Sequence, residues 1–214
     1  AIDRAGLVGA DGETHHGIYD ISFMRVLPNI VIMTPSNENE MWMMLNTGLQ
    51  FEGPSAIRYP RGNSSGNEVI ITDETIEVGK SLTVCEGGYI AILVFGELLN
   101  KVFDISKRLN LTLIDMRFAK PLDTNKINDL SKAHKYFITL EDNVVKGGAG
   151  SAVNEYIIEN SLDINIINLG IPDRIISHGS QDELYAEIGL DKKSLEIKIN
   201  ELYNYISKNE KVLK

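Results

Sequence analysis

Apolar residues along this chain come in two alternating arrangements. Short continuous runs suit buried parallel strands, and stretches with apolar positions every three or four residues suit one face of a helix. Ile30-Val31-Ile32-Met33 is a run of the first kind. Thr34-Pro35-Ser36 stops it. Ser36 or Asn37 then caps a helix with Glu38 and Glu40 in its first turn, where the helix dipole favours acids. Met41, Met44, Leu45 and Leu49 share one face of that helix and read as core. Residues 55–59 form the next strand, closed by Pro60, and residues 20–26 supply a short helical turn.

A second series follows a mostly polar stretch, residues 62–75, which opens Gly62-Asn63-Ser64-Ser65-Gly66-Asn67 and reads as a loop or linker. Strands are predicted at 81–85 and 89–95, joined by the hairpin signal Glu86-Gly87-Gly88, and at 111–116, 136–140 and 164–169. Helices are predicted over 97–109, from Asp123 or Thr124 to about 133, after Gly147-Gly148-Ala149-Gly150, and over 181–188 and 192–205. This alternation gives an α/β fold of two three-layer α/β/α blocks with mostly parallel sheets and right-handed crossovers. The first block is residues 1–67 and the second 77–214, with 68–76 between them.

A net charge of −9 over 214 residues argues against a nucleic-acid partner, which needs a basic face, but leaves room for a small basic pocket. The lone Cys85 makes no intrachain disulfide and reads as a buried, inert thiol. That fits a reducing compartment, the cytoplasm or a plastid-type organelle. No apolar stretch is long enough to span a membrane, and no signal peptide is visible. Ala1-Ile2 reads as the end of a strand running straight into a loop, as in a fragment of a longer protein.

The chemistry concentrates in residues 3–17, where one Arg, two Asp, one Glu and two His share a segment with four Gly. Gly lets a ligand approach the main chain, and His moves protons near neutral pH. A loop of this make-up at a strand end is where α/β enzymes place their sites. Arg58-Tyr59-Pro60-Arg61 sets two more guanidiniums at a strand end, suited to phosphate or carboxylate. With Arg4 they offer arginines from neighbouring strand ends to one anion. Gly147-Gly148-Ala149-Gly150-Ser151 lacks the spacing of a phosphate loop and reads as close helix–strand packing. Metal-ligand spacing is absent: His15 and His16 are adjacent, and His134 and His178 stand alone as surface or capping residues.

Several segments together resemble the 1-deoxy-D-xylulose-5-phosphate synthases, a family of transketolase-like thiamine diphosphate enzymes. They are Asp3-Arg4-Ala5-Gly6, Ala10-Asp11-Gly12-Glu13-Thr14-His15-His16-Gly17, Ile32-Met33-Thr34-Pro35-Ser36, Arg58-Tyr59-Pro60-Arg61-Gly62-Asn63 and Asp115-Met116-Arg117-Phe118-Ala119-Lys120-Pro121-Leu122-Asp123. The Asp-Gly-x-Thr-His core is common to transketolases, whereas Asp-Arg-Ala-Gly and Tyr-Pro-Arg-Gly-Asn point to the synthases. The resemblance implies the latter part of a pyrimidine-binding domain followed by a complete C-terminal domain, without the segments that bind thiamine diphosphate and Mg2+. It implies a cytoplasmic homodimer that condenses pyruvate with glyceraldehyde 3-phosphate for isoprenoid, thiamine and pyridoxal precursors. It assigns the acceptor phosphate to Arg4 and Arg61, and the reacting carbonyl and hydroxyl groups to His15 and Asp11. His16 receives no role, and no residue here is assigned to cofactor or metal. A transketolase, a 2-oxo-acid dehydrogenase β-type subunit, or a non-catalytic dimerisation or regulatory module are the alternatives.

Overall fold

The computed structural model describes residues 1–62 and 68–209. The Gly/Ser/Asn-rich start of the expected linker, residues 63–67, lies outside the described residues. The first block runs β1 (Ile2–Ala5), a 3-10 turn (Gly9–Asp11), α1 (Asp20–Met24), β2 (Val31–Met33), α2 (Glu38–Gln50) and β3 (Ser55–Pro60). The second runs β4 (Leu82–Cys85), β5 (Gly88–Phe95), α3 (Leu99–Arg108), β6 (Leu111–Asp115), β7 (Phe118–Lys120), α4 (Thr124–Ala133), β8 (Tyr136–Val144), α5 (Ala149–Glu159), β9 (Asn165–Ile171), α6 (Gln181–Glu187) and α7 (Lys192–Asn209).

The larger sheet has the order β4-β6-β5-β8-β9, parallel except for β4. Strand β5 shows why its sequence is apolar without a break. Ile90, Ile92 and Val94 join a core with Val102 and Ile105 of α3 and Leu195 and Ile199 of α7. The alternate residues Ala91, Leu93 and Phe95 join Ile127 of α4 and Val153 and Ile157 of α5. Both faces are covered, so both residue parities must be apolar.

The smaller sheet has the order β1-β3-β2-β7. Val31, Met33 and Ile57 pack under Met44 of α2. On the opposite face Ile32 and Ala56 enter the same core as Phe95, Met116 and Val153. The first sheet therefore finds its second covering layer in the second block.

Four details differ from the sequence expectation. Residues 81–85 and 89–95 do not form a hairpin: β4 pairs antiparallel with β6, Leu82 opposite Asp115. The Gly87 N–H donates to Thr112 Oγ1 and that hydroxyl donates to Gly87 O, both at 3.0 Å, tying the 86–88 segment to β6 instead. Strand β7 was not foreseen. It has three residues, too few for any periodicity, and joins the first sheet antiparallel to β2. Leu49 is exposed rather than core, because it lies about 140° round the helix from Met44. Cys85 is half-buried, as its edge strand leaves one side uncovered.

The two blocks are joined by a buried ion cluster. Arg58 on β3 is almost wholly buried. Its Nε donates to Asp20 Oδ2 at 2.7 Å, its Nη2 to Asp20 Oδ1 at 3.2 Å and to Gly17 O at 3.0 Å, and its Nη1 to Asp142 of β8. The two carboxylates hold the guanidinium charged, its pKa raised against the effect of burial. Changing Arg58→Met leaves two buried carboxylates without their cation. It is expected to cost about 3–5 kcal/mol, read as a lower urea midpoint, and an unchanged midpoint contradicts this account.

Candidate functional site

Strands β1 and β3 run parallel, with Ala5 opposite Pro60, so the residues around their ends are neighbours. Arg4 sits near the end of β1 and Arg61 just beyond β3. Asp11 closes the 3-10 turn between them in space. Arg4 Nη1 lies 3.2 Å and Arg61 Nη1 2.7 Å from the same Asp11 Oδ2 atom. Arg61 Nη1 also donates to Val8 O at 3.4 Å. Side-chain exposures of 38% for Arg4, 50% for Arg61 and 28% for Asp11 leave this cluster open to a ligand from solvent. Screening keeps such open pairs weak, so an incoming anion competes on favourable terms.

Of the four residues singled out in the sequence, the structure thus joins Arg4, Asp11 and Arg61. His15 lies on the next turn of the same loop, where its N–H donates to Gly12 O at 3.0 Å. Its exposed imidazole Nδ1 pairs with Thr14 Oγ1 at 2.9 Å rather than with the arginine cluster.

The loop is held from below. Gly6 adopts φ +72°, and a Cβ there would stand 2.7 Å from Tyr185 Oη and 3.1 Å from Asp142 Oδ2, so only glycine fits. The backbone N–H of Val8 donates to His16 Nδ1 at 3.1 Å. That leaves the proton on His16 Nε2, which faces Ser177 O at 3.2 Å. His16 therefore clamps the loop to the second block, a role that sequence reasoning missed because its partners are main-chain groups, one of them 161 positions along the chain. Arg58, Asp20 and Asp142 were missed as a unit because these side chains come from stretches far apart along the chain. His134 does cap a helix end, its Nδ1 against Leu130 O at 3.0 Å, and burial lowers its pKa. His178 is exposed.

Glu141 on β8 fills the amide cradle at the glycine-rich turn. It accepts from Ala149 N at 2.7 Å and Gly150 N at 2.9 Å, which bears out the packing reading of that motif. Among the described residues no group of three or more His, Cys, Asp or Glu is arranged to hold a metal ion. No helix among them is long and apolar enough to cross a membrane.

Residues 79–195 match the family model described as "Transketolase, C-terminal domain", and residues 1–66 match "Transketolase, pyrimidine binding domain". The chain belongs to the transketolase family. Among curated proteins it is 47% identical over 214 residues to the 1-deoxy-D-xylulose-5-phosphate synthase of Colwellia psychrerythraea, covering 95% of this chain and 34% of that protein. It is 51% identical over 195 residues to the enzyme of that name from Pseudoalteromonas translucida, covering 91% and 32%. The chain thus spans about a third of the length of these relatives. Among solved structures, one described as "Split gene transketolase, inactive beta4 tetramer" superposes with TM-score 0.79 at 26% identity, over 90% of this chain and 64% of that one. A transketolase from Campylobacter jejuni superposes with TM-score 0.67 at 18% identity over 94% of this chain and 30% of that one, a likeness of fold alone.

Burial raises the Glu141 carboxyl to about 8, against the pull of its two amide donors. A raised folded-state value means that Glu141 favours the fold below its unfolded value near 4.5, and that this contribution is lost as pH rises towards 8. Denaturation midpoints of the protein and of Glu141→Gln, measured from pH 5 to 8, are expected to diverge in favour of the variant as pH rises. A constant difference across that range would refute the assignment.

Proposed function

We propose that this transketolase-family chain builds the acceptor-binding side of a 1-deoxy-D-xylulose-5-phosphate synthase, which joins pyruvate to glyceraldehyde 3-phosphate with release of CO2. The observation that carries this reading is the meeting of Arg4 and Arg61, from neighbouring strand ends, on one oxygen of Asp11. A phosphate presents oxygens at the spacing two guanidiniums accept, with more charge than a carboxylate. In this reading the acceptor phosphate takes the place of Asp11 between the arginines. The freed Asp11 carboxylate then accepts a hydrogen bond from an acceptor hydroxyl. The exposed His15 imidazole stands on the following turn to move a proton at the reacting carbonyl.

Thiamine diphosphate supplies the carbon–carbon bond chemistry of such enzymes when bound. In this reading its magnesium diphosphate is held by segments of the complete enzyme other than the described residues, and the chain binds and orients the acceptor. Tyr19, Phe23, Val26 and Leu27 leave exposed apolar surface along and on either side of α1, which fits pairing with a second subunit. The chain at high concentration is expected to sediment as a dimer or larger, and a monodisperse monomer would count against that pairing.

In the complete enzyme, Arg4→Ala or Arg61→Ala removes a charge-assisted contact worth about 1.5–3 kcal/mol. The expected result is a ten- to hundredfold lower kcat/KM for glyceraldehyde 3-phosphate, roughly tenfold per 1.4 kcal/mol. The unphosphorylated acceptor glyceraldehyde is expected to react as before. Equal losses with both acceptors would show that the arginines support the fold instead.

A further inference from the structure

The segment that leads into α6, and α6 itself, lie directly beneath the loop carrying Arg4 and Asp11. Ser180 starts this helix with a reciprocal capping box to Glu183, which fixes Gln181 as its first residue. The Gln181 side chain then points at the loop: Nε2 donates to Leu7 O at 2.7 Å and makes a longer contact to Arg61 O at 3.5 Å. One amide group therefore touches both backbone segments that supply the guanidiniums. Gly9, at φ +72°, rests on the Gln181 backbone, where a Cβ would stand 3.2 Å from Gln181 N. The Leu7 N–H faces the hydroxyl of Tyr185, one helical turn further on, and that hydroxyl donates to Glu97 Oε1 at 3.3 Å. Lys101 lies 3.7 Å over the Tyr185 ring. Neither the surface of α6 nor its core packing calls for these contacts.

We propose that Gln181 is a positioning residue for the acceptor phosphate: it fixes the separation of Arg4 and Arg61 by holding the main chain beside each. This rests on the phosphate reading above, and it assigns a part in acceptor recognition to the C-terminal domain. Gln181 touches no substrate, so its effect runs only through the two arginines. Loss of the amide lets the loop and the end of β3 drift apart, and weakens a two-pronged grip more than any single-point contact. Tyr185 holds the other side of Leu7 in the same way.

The test uses the complete enzyme with Gln181→Ala, Gln181→Glu and Tyr185→Phe. Gln181→Glu keeps the shape and replaces the donor with an acceptor that faces Leu7 O. Gln181 lies outside the apolar cores, Tyr185 within the larger one loses only its hydroxyl, and thermal unfolding confirms that each variant is folded. The expected result is a roughly five- to tenfold rise in KM for glyceraldehyde 3-phosphate with the Gln181 variants, with kcat and the KM for pyruvate held and glyceraldehyde unaffected. Inorganic phosphate, used as a competitive inhibitor, is expected to weaken by the same factor. Equal losses with both acceptors, or no change with either, overturn the proposal. Arg4→Ala and Arg61→Ala, run in parallel, judge the phosphate reading separately. If they discriminate between acceptors and the Gln181 variants do not, the positioning role alone fails. If the Gln181 variants discriminate and the arginine variants do not, the effect does not run through the arginines, and both the phosphate reading and the positioning role fail.

Discussion

The burial of Arg58 is the constraint on which the arrangement of this molecule depends. A guanidinium taken from water loses hydration worth several kcal/mol, and that cost is offset only if its donors and charge are met within the fold. Asp20 from α1, Asp142 from β8 and the carbonyl of Gly17 meet them together. Arg58 and those partners come from three separate stretches, so the ion cluster forms only when both blocks are docked in one register. It then specifies that docking more sharply than the apolar contacts of Ile32 and Ala56, which would tolerate a shift.

That register carries consequences outward. Asp142 lies under Gly6, so the position of the ion cluster sets the height of the loop above it. Gly17 O binds Arg58 while Gly17 also bridges to β1, so both ends of the loop are anchored within one residue of the cluster. Glu97 and Tyr185 continue the same polar seam. Burial and the neighbouring Asp142 raise the Glu97 carboxyl, burial raises the Tyr185 hydroxyl well above its ordinary value, and the Tyr185 hydroxyl donates to Glu97 Oε1.

Much of this was legible in the sequence, and the limits have physical causes. The apolar runs of β2, β5, β6 and β8 announced a buried parallel sheet because both residue parities are covered. Asn37 and Asp123 marked helix starts because their side chains accept backbone N–H groups there. The convergence of Arg4 and Arg61 was readable from two strand ends flanked by turn residues. The pairing of β4 with β6 was not, because Glu86-Gly87-Gly88 suits a tight turn and a crossing loop equally. Strand β7 was hidden for want of length. His16, Gln181 and Tyr185 were hidden because they bind the main chain, and a main-chain partner leaves no trace in side-chain spacing.

The charge arrangement at the site explains why such bracing matters. Two guanidiniums brought to neighbouring strand ends repel each other, and a flexible loop would relieve that by moving apart. Asp11 compensates both with one oxygen, which keeps them close and their donors aimed at a common point. A ligand that replaces this carboxylate inherits the geometry only if the loop stays where it was. Hydrogen bonds from Gln181, contacts to Tyr185 and the His16 link to Ser177 O supply that stiffness from residues more than a hundred positions away. The charges belong to the first block and much of their bracing to the second, so the geometry of this cluster is a property of the docked pair.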